Sequence, residues 1–540
     1  MERKSYSGLC AGAGKALGIL YEKKGSKDGI DRSLGHSSAE RERFYSAVNA
    51  AKKELSALAD EAKGTLGEAD GDIFFIHTLF LEDEDFLAAA DRALSLTHTA
   101  EFALEAAKEY AVASLLETGD EIMMARRADV LDVTARVLSF LRGKEDERLP
   151  NVPFLYFSED IIPSEVLTLH KSRCVGIILK AGAVQSHAAI IARAMSLPML
   201  VEAEGEASGV KTALLDADRG VWVAHPDEGE IAAFRAWQNE QNERARILQG
   251  FRDKHFLYPT GRELTVAANI GSFAEWEEAA RSGAEGIGLF RSELTFMEGD
   301  RAPSEEEQVS LYQRLIQAVA PRLAVIRVLD LGADKVPRWL TLQKEDNPAL
   351  GLRGVRLLNE HFTLFRTQLR SILRATATGE AVILLPMIVS LEEVKTFKAL
   401  LSSLADELVG EGYTVGHYTL GVMIETPSAA LICRSLSAEC GYFSIGSNDL
   451  FQYTMAIDRE NPRALAYVER HPPALLSLIS DVVKIAHETG VKVSLCGELA
   501  GDPVLTEWLC EQEFDVLSLS PSAILPTKER LANILKSREN

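Results

Sequence analysis

The sequence predicts a multidomain α/β plus α protein whose second half is a (β/α)8 TIM-type barrel. Three observations carry this expectation. Helical periodicity dominates residues 31–145, residues 146–225 mix short apolar strands with a helix, and from 257 onward eight short apolar runs alternate with amphipathic stretches. Eight βα repeats over such a span are the pattern of a closed parallel barrel. The length of 540 residues allows about three to four domains at roughly 150 residues each.

The elements follow in order. Residues 1–30 are rich in Gly and Ala and include one strand, GILYEKK. Ser37 and Glu40 read as a capping box before a long helix. Further helical stretches, DIFFIHTLFLEDEDFLAAADRAL, EFALEAAKEYAVASLLE and MMARRADVLDVTARVLSFLRG, complete a bundle of about four helices. VPFLYFS, CVGIILK, KTALLDA and VWVAHP read as strands of a small α/β unit, with a helix after Ser186. The charged segment 226–256 has no strand or turn cluster and reads as a linker helix. The barrel strands are expected at 264–270, 286–290, 323–330, 381–387, 420–425, 442–446, 492–496 and 515–519.

Composition excludes several function classes. The net charge of −22 disfavours nucleic acid and anionic membranes as partners. The six cysteines are scattered, with no C-x-x-C pair, as suits a reducing cytoplasm. The amino end has no apolar core of the signal-peptide kind. The longest apolar run, AVILLPMIV, is too short to span a bilayer.

Barrel sites form where strands end. There the sequence places Arg291; Arg327 with Asp330 and Lys335; Glu425; Asn448 with Asp449; Arg459; and Cys496. Arginine forks bind phosphate or carboxylate, and two carboxylates can hold Mg²⁺. Such a rim suits a small polyanion with a transferring phosphoryl group. Taken singly, a rim arginine reads better as a surface ion pair, and Cys496 more often as a buried structural thiol. A second candidate is His187 in AGAVQSHAAIIAR, at the start of a helix where a phosphate would meet unpaired N–H groups. On spacing alone it reads as a core or capping histidine.

At these residues the chain resembles enzyme I of the phosphoenolpyruvate:sugar phosphotransferase system. The resemblance rests on GYFSIGSNDLFQYTMAIDR, on ANIGSFAEWEEAARSGAEGIGLFRSELTFM, on VLDLGADK with NPALGLRGVR, on SLCGELAGD and on GAVQSHAAIIAR. It implies a swivelling α/β phosphohistidine domain (1–30 and 146–225) with an inserted helical bundle (31–145), then a linker helix (226–256) and a phosphoenolpyruvate-binding, dimerising barrel (257–540). It implies that His187 accepts the phosphoryl group of phosphoenolpyruvate and passes it to the small phosphocarrier HPr. Glu425 and Asp449 would be Mg²⁺ ligands, and Arg291, Arg327, Asn448 and Arg459 would hold the substrate. Arg353 and Lys335 fall in matching segments, and Cys496 would protonate the enolate to give pyruvate. HPr would dock on the bundle near His77 and the acidic run Glu82, Asp83, Glu84 and Asp85, which also reads as a solvated helix end. The family carries Thr, Ser or Asn two residues before the histidine, whereas this chain has Gln185, preceded by Val184. That departure motivates the alternative of a regulatory, non-catalytic paralogue.

Overall fold

The computed structural model describes residues 3–23, 37–66, 77–78, 80–96, 98–117, 127–143, 149–297, 301–322, 324–332, 335–337, 339–343, 345–459 and 461–538. The chain forms two compact units, Met1–Gln241 and Asn242–Asn540.

The first unit is built on a sheet of eight strands. These are β1 (Lys4–Ser7), β2 (Leu9–Gly12), β3 (Lys15–Glu22), β4 (Phe154–Ser158), β5 (Cys174–Leu179), β6 (Met199–Val201), β7 (Thr212–Asp216) and β8 (Val221–Ala224). They lie in the order β1-β8-β7-β3-β4-β5-β6-β2. The central run β3 to β6 is parallel and the flanking pairings are antiparallel. β4 is buried along its whole length, as expected of a parallel strand covered on both faces. The short strands β1, β2 and β6 are additions to the strands expected from sequence.

The chain leaves the sheet after β3, makes α1 (Ser37–Leu66), α2 (Glu84–Ser95), α3 (Ala100–Glu117) and α4 (Arg127–Arg142), and returns as β4. β3 and β4 nevertheless pair directly, from Ile19 opposite Phe154 to Glu22 opposite Phe157. Phe44, Val48, Ala51 and Leu55 form a helical stripe on α1 that packs in one core with Ala90 and Leu94 of α2, Ala103 and Ala107 of α3, and Phe154 and Tyr156 of the sheet. Burying each large apolar side chain contributes about 1.5–3 kcal/mol. The stretch expected as helical through residue 94 is interrupted at Leu81–Asp83. Asp83 caps α2 there, accepting from the N–H of Phe86 at 2.8 Å. The side chain of Ser37 lies outside the described residues. Glu40 instead accepts from the N–H of Ala100 at 2.9 Å, capping α3 from across the bundle. The remaining helices are α5 (Pro163–His170), α6 (His187–Ala194) and α7 (Glu228–Gln249), the last with no buried residue.

In the second unit β9 (Phe256–Leu257) precedes eight strands: β10 (Glu263–Ile270), β11 (Ile287–Arg291), β12 (Ala324–Arg327), β13 (Ala381–Leu385), β14 (Tyr418–Ile424), β15 (Tyr442–Gly446), β16 (Lys492–Cys496) and β17 (Val516–Leu519). Each matches an expected strand. Every neighbouring pair is parallel, and β10 bonds to both β11 and β17, which closes the barrel. Close approach sets some residues: a Cβ on Gly288 would lie 2.2 Å from the Ser518 hydroxyl, so only glycine fits there.

Candidate functional site

Alternation along the strands builds the rim. Leu289, Val325, Val382, Leu384, Met423, Tyr442 and Cys496 form a separate buried cluster of strand residues. Side chains two apart share a face, so Arg291, Arg327 and Glu425 stand one step beyond Leu289, Val325 and Met423, at the carboxyl ends of their strands. Cys496 closes β16 at the same level.

Three cations and four acids interlock here. Arg327, 5% exposed, bonds Glu293 and lies 3.3 Å from Asp330. Arg353, 4% exposed, forks onto both oxygens of Asp330 at 3.0 Å and onto Asp449 at 3.1 and 3.2 Å, with the Tyr453 hydroxyl at 3.3 Å. Lys335 reaches Glu293 at 3.1 Å and Asp330 at 3.8 Å. Glu425, fully buried, accepts from the N–H of Met387 at 2.7 Å. Met387 itself adopts φ +58°, the left-handed region, a strain of the kind that gathers at functional sites.

These contacts set the charge states. Burial favours the neutral form of Arg327, but Glu293 and Asp330 outweigh it and raise its pKa. Arg353 is raised in the same way, against burial, by Asp330 and Asp449. For Asp330 burial is again outweighed, here by Arg327 and Arg353, and its pKa falls. Glu425 moves the other way. Burial first, then the charges of Asp449 and Asp330, push its pKa up. A buried carboxylate that resists ionisation beside another acid is a place where a cation is stabilising. Cys496 is pushed up to about 11, chiefly by burial.

The remaining expected rim residues stand close by. Asn448 accepts from the N–H of Glu498 at 3.1 Å. Gly497 permits this turn with φ +90°, and a Cβ there would lie 2.8 Å from the Asn448 amide oxygen. Arg291 is half-buried and 3.7 Å from Glu275. Arg459 lines two clefts, of about 720 and 570 Å³. The larger is lined also by Arg353, Asp449 and Tyr453, the smaller by Ser447, Asn448 and Glu498. Among the described residues no group of three or more His, Cys, Asp or Glu is placed to hold a metal ion. Glu293 is the rim residue not singled out from sequence. Its signal was faint: an acid two residues past Arg291, inside a quoted motif.

The second site is in the first unit. Ser186 caps α6, accepting from the N–H of Ala189, which places His187 at the first helical position. His187 Nδ1 lies 3.2 Å from Asp129 of α4, and its side chain is 43% exposed. His77, expected near a partner-facing surface, is completely buried. Its Nε2 lies 3.2 Å from the same Asp129 oxygen and its Nδ1 3.7 Å from Asp132. Burial would raise the Asp129 pKa, but the neighbouring His187 and His77 rings outweigh it and bring the pKa down to about 2. Sequence periodicity gives no sign of Asp129, which meets His187 only through tertiary packing. Arg193 bonds the carbonyls of Ala11 and Val184, fixing the loop ahead of the histidine. Gln185 is exposed and Val184 packs on the core. Glu82, Asp83, Glu84 and Asp85 are all exposed at the start of α2.

Three domain families match the chain: PEP-utilising enzyme, N-terminal, over residues 7–126; PEP-utilising enzyme, mobile domain, over 156–220; and PEP-utilising enzyme, PEP-binding domain, over 246–536. The phosphoenolpyruvate-protein phosphotransferase of Haemophilus influenzae is 34% identical over 538 residues, covering 98% of this chain and 94% of that one. Its counterpart in Bacillus subtilis (strain 168) is 33% identical over 544 residues, again covering 98% and 94%. A solution structure of Enzyme I (nEIt) aligns with 44% of this chain and 99% of its own at 22% identity, with a TM-score of 0.38. Matched along nearly its whole length, and with a charged rim on the carboxyl ends of a closed barrel, this chain belongs to the family of PEP-utilising enzymes.

Proposed function

We propose that the protein is a phosphoenolpyruvate-protein phosphotransferase, which moves the phosphoryl group of phosphoenolpyruvate to its own His187 and then to the phosphocarrier HPr. The observation that carries the reading is the rim, where buried Arg327 and Arg353 are held charged beside Glu425 and Asp449. A small, highly charged anion needs such preorganised donors in a dry site. Arg291, Arg327, Asn448 and Arg459 would hold its phosphate and carboxylate, with Arg353 as a further donor. Glu425 and Asp449 would hold Mg²⁺ through their hard oxygens, and a bound cation would offset the burial and neighbouring acids that raise the Glu425 pKa. When bound, Mg²⁺ supplies charge neutralisation at the phosphoryl oxygens.

At His187, Asp129 engages Nδ1, and Nε2 would take the phosphoryl group. The Nε2–P bond forms as the enol O–P bond breaks. Cys496 keeps its proton at neutral pH because its pKa is raised, and it gives that proton to the enolate carbon, releasing pyruvate. The exposed acidic run at 82–85 is a surface for HPr on the bundle (31–145). The phosphohistidine domain (1–30 and 146–225) carries His187 to the barrel mouth on the 226–256 linker, and the barrel (257–540) pairs as a homodimer. The setting is the cytoplasm; among the described residues no helix is long and apolar enough to cross a membrane.

The test is incubation of the purified protein with labelled phosphoenolpyruvate and Mg²⁺, followed by mapping of acid-labile, base-stable label. Label on His187 that passes to HPr is the expected result. A His187→Ala variant that takes label as the parent does would sink the assignment. Binding of phosphoenolpyruvate without label would favour the regulatory reading that Gln185 motivates.

A further inference from the structure

The mechanism above uses His187 and leaves its buried neighbour unexplained. His77 is completely buried, and Asp129 and Asp132 are 3% and 0% exposed. One oxygen of Asp129 lies 3.2 Å from His77 Nε2 and 3.2 Å from His187 Nδ1. Asp132, which also receives the Ser164 hydroxyl at 3.4 Å, stands 3.7 Å from His77 Nδ1. Two acids and two imidazoles thus form one chain from the interior to the half-exposed ring. Buried carboxylates need polar partners, and His77 stands beside both of these, 3.2 Å from Asp129 and 3.7 Å from Asp132.

We propose that His77 is a positioning residue for phosphoryl transfer, acting through Asp129 to fix the tautomer of His187. This rests on the phosphotransferase reading above. The partner of one ring nitrogen determines which nitrogen carries the proton. Asp129, kept ionised by His77, accepts the Nδ1–H of His187. The lone pair then sits on Nε2, the nucleophile. During transfer the Nε2–P bond forms as the enol O–P bond breaks, and the Nδ1 proton stays between His187 and Asp129. On donation the N–P bond breaks towards the acceptor, and that proton again does not move. The carboxylate also stabilises the positive charge the ring carries while phosphorylated. Without His77, Asp129 faces burial with one partner fewer and its hold on the ring weakens.

The experiment uses the full-length protein with ¹⁵N-labelled histidine. Long-range ¹H–¹⁵N spectra report the His187 tautomer, and single-turnover labelling by phosphoenolpyruvate with Mg²⁺ reports the rate. His77→Phe and Asp129→Asn are each expected to mix the tautomers and slow labelling by about tenfold to a hundredfold, the usual effect of removing a group that orients a functional imidazole. His77→Gln keeps an N–H donor and is expected to recover most of both readouts, and it serves also if His77→Phe does not fold. Parental tautomer and rate in Asp129→Asn, or equal loss in His77→Gln and His77→Phe, would overturn the inference. Parent protein that takes no label at all would instead overturn the underlying phosphotransferase reading.

Discussion

Arg353 shows how one residue holds the rim together. Its guanidinium forks onto Asp330 and Asp449 at once, a geometry that a lysine ammonium cannot reproduce. Removing one member of a buried ionic set leaves the others uncompensated, at a cost of about 3–5 kcal/mol. Asp330 keeps Arg327 and Lys335, so Arg353→Met is expected at the low end, about 3 kcal/mol by urea unfolding. A loss below about 1 kcal/mol would mean that the network relaxes freely. The thiols give a pH effect. Burial is the main cause that pushes Cys440 up to about 12 and Cys496 and Cys510 to about 11. An unfolded thiol releases its proton near pH 8.5. Above that pH the folded barrel binds more protons than the unfolded chain, so its stability falls as pH rises towards 11–12. Each thiol contributes about 1.4 kcal/mol per pH unit in that window. Unfolding midpoints at pH 8 and 10.5 measure the loss, and Cys440→Ala is expected to flatten it. Rim residues such as Arg327 and Glu425 were legible from sequence because they follow apolar strands. Their partners were not: Glu293 is 34 residues from Arg327, and Asp129 is 58 from His187.

Among the elements, the barrel strands were the most legible. Parallel strands covered on both faces read as continuous apolar runs, and β13, for example, is buried throughout. β1 gave no such signal because it is mostly exposed at the edge of its sheet. The break before α2 was hidden because Leu81 continues the apolar period while Asp83 ends it. That capping role separates two readings of the acidic run. Asp83→Ala is expected to cost about 1 kcal/mol in stability. Asp83→Asn keeps the acceptor and is expected to cost almost nothing, while any charge-driven contact with HPr weakens equally in both. Thermal unfolding together with HPr binding resolves the two contributions, and equal destabilisation by Asn and Ala would remove the cap from the account.

For the molecule as a whole, the sequence carried the succession of bundle, α/β sheet and barrel, since each has its own periodicity. It did not carry the pairing of β3 with β4 across the bundle, because register between strands so far apart is decided by tertiary packing. The burial of the rim arginines has a consequence for how the two halves of the relay respond to dissolved salt. Mobile ions screen charges that share solvent with them, over a Debye length of about 10 Å at 0.1 M. Arg327 and Arg353 are 5% and 4% exposed, so counter-ions have little access to them. The run at 82–85 is exposed. Affinity for phosphoenolpyruvate is therefore expected to fall less steeply than affinity for HPr as ionic strength rises. One titration with an inert electrolyte would then uncouple the chemical step from the protein encounter without altering a single residue.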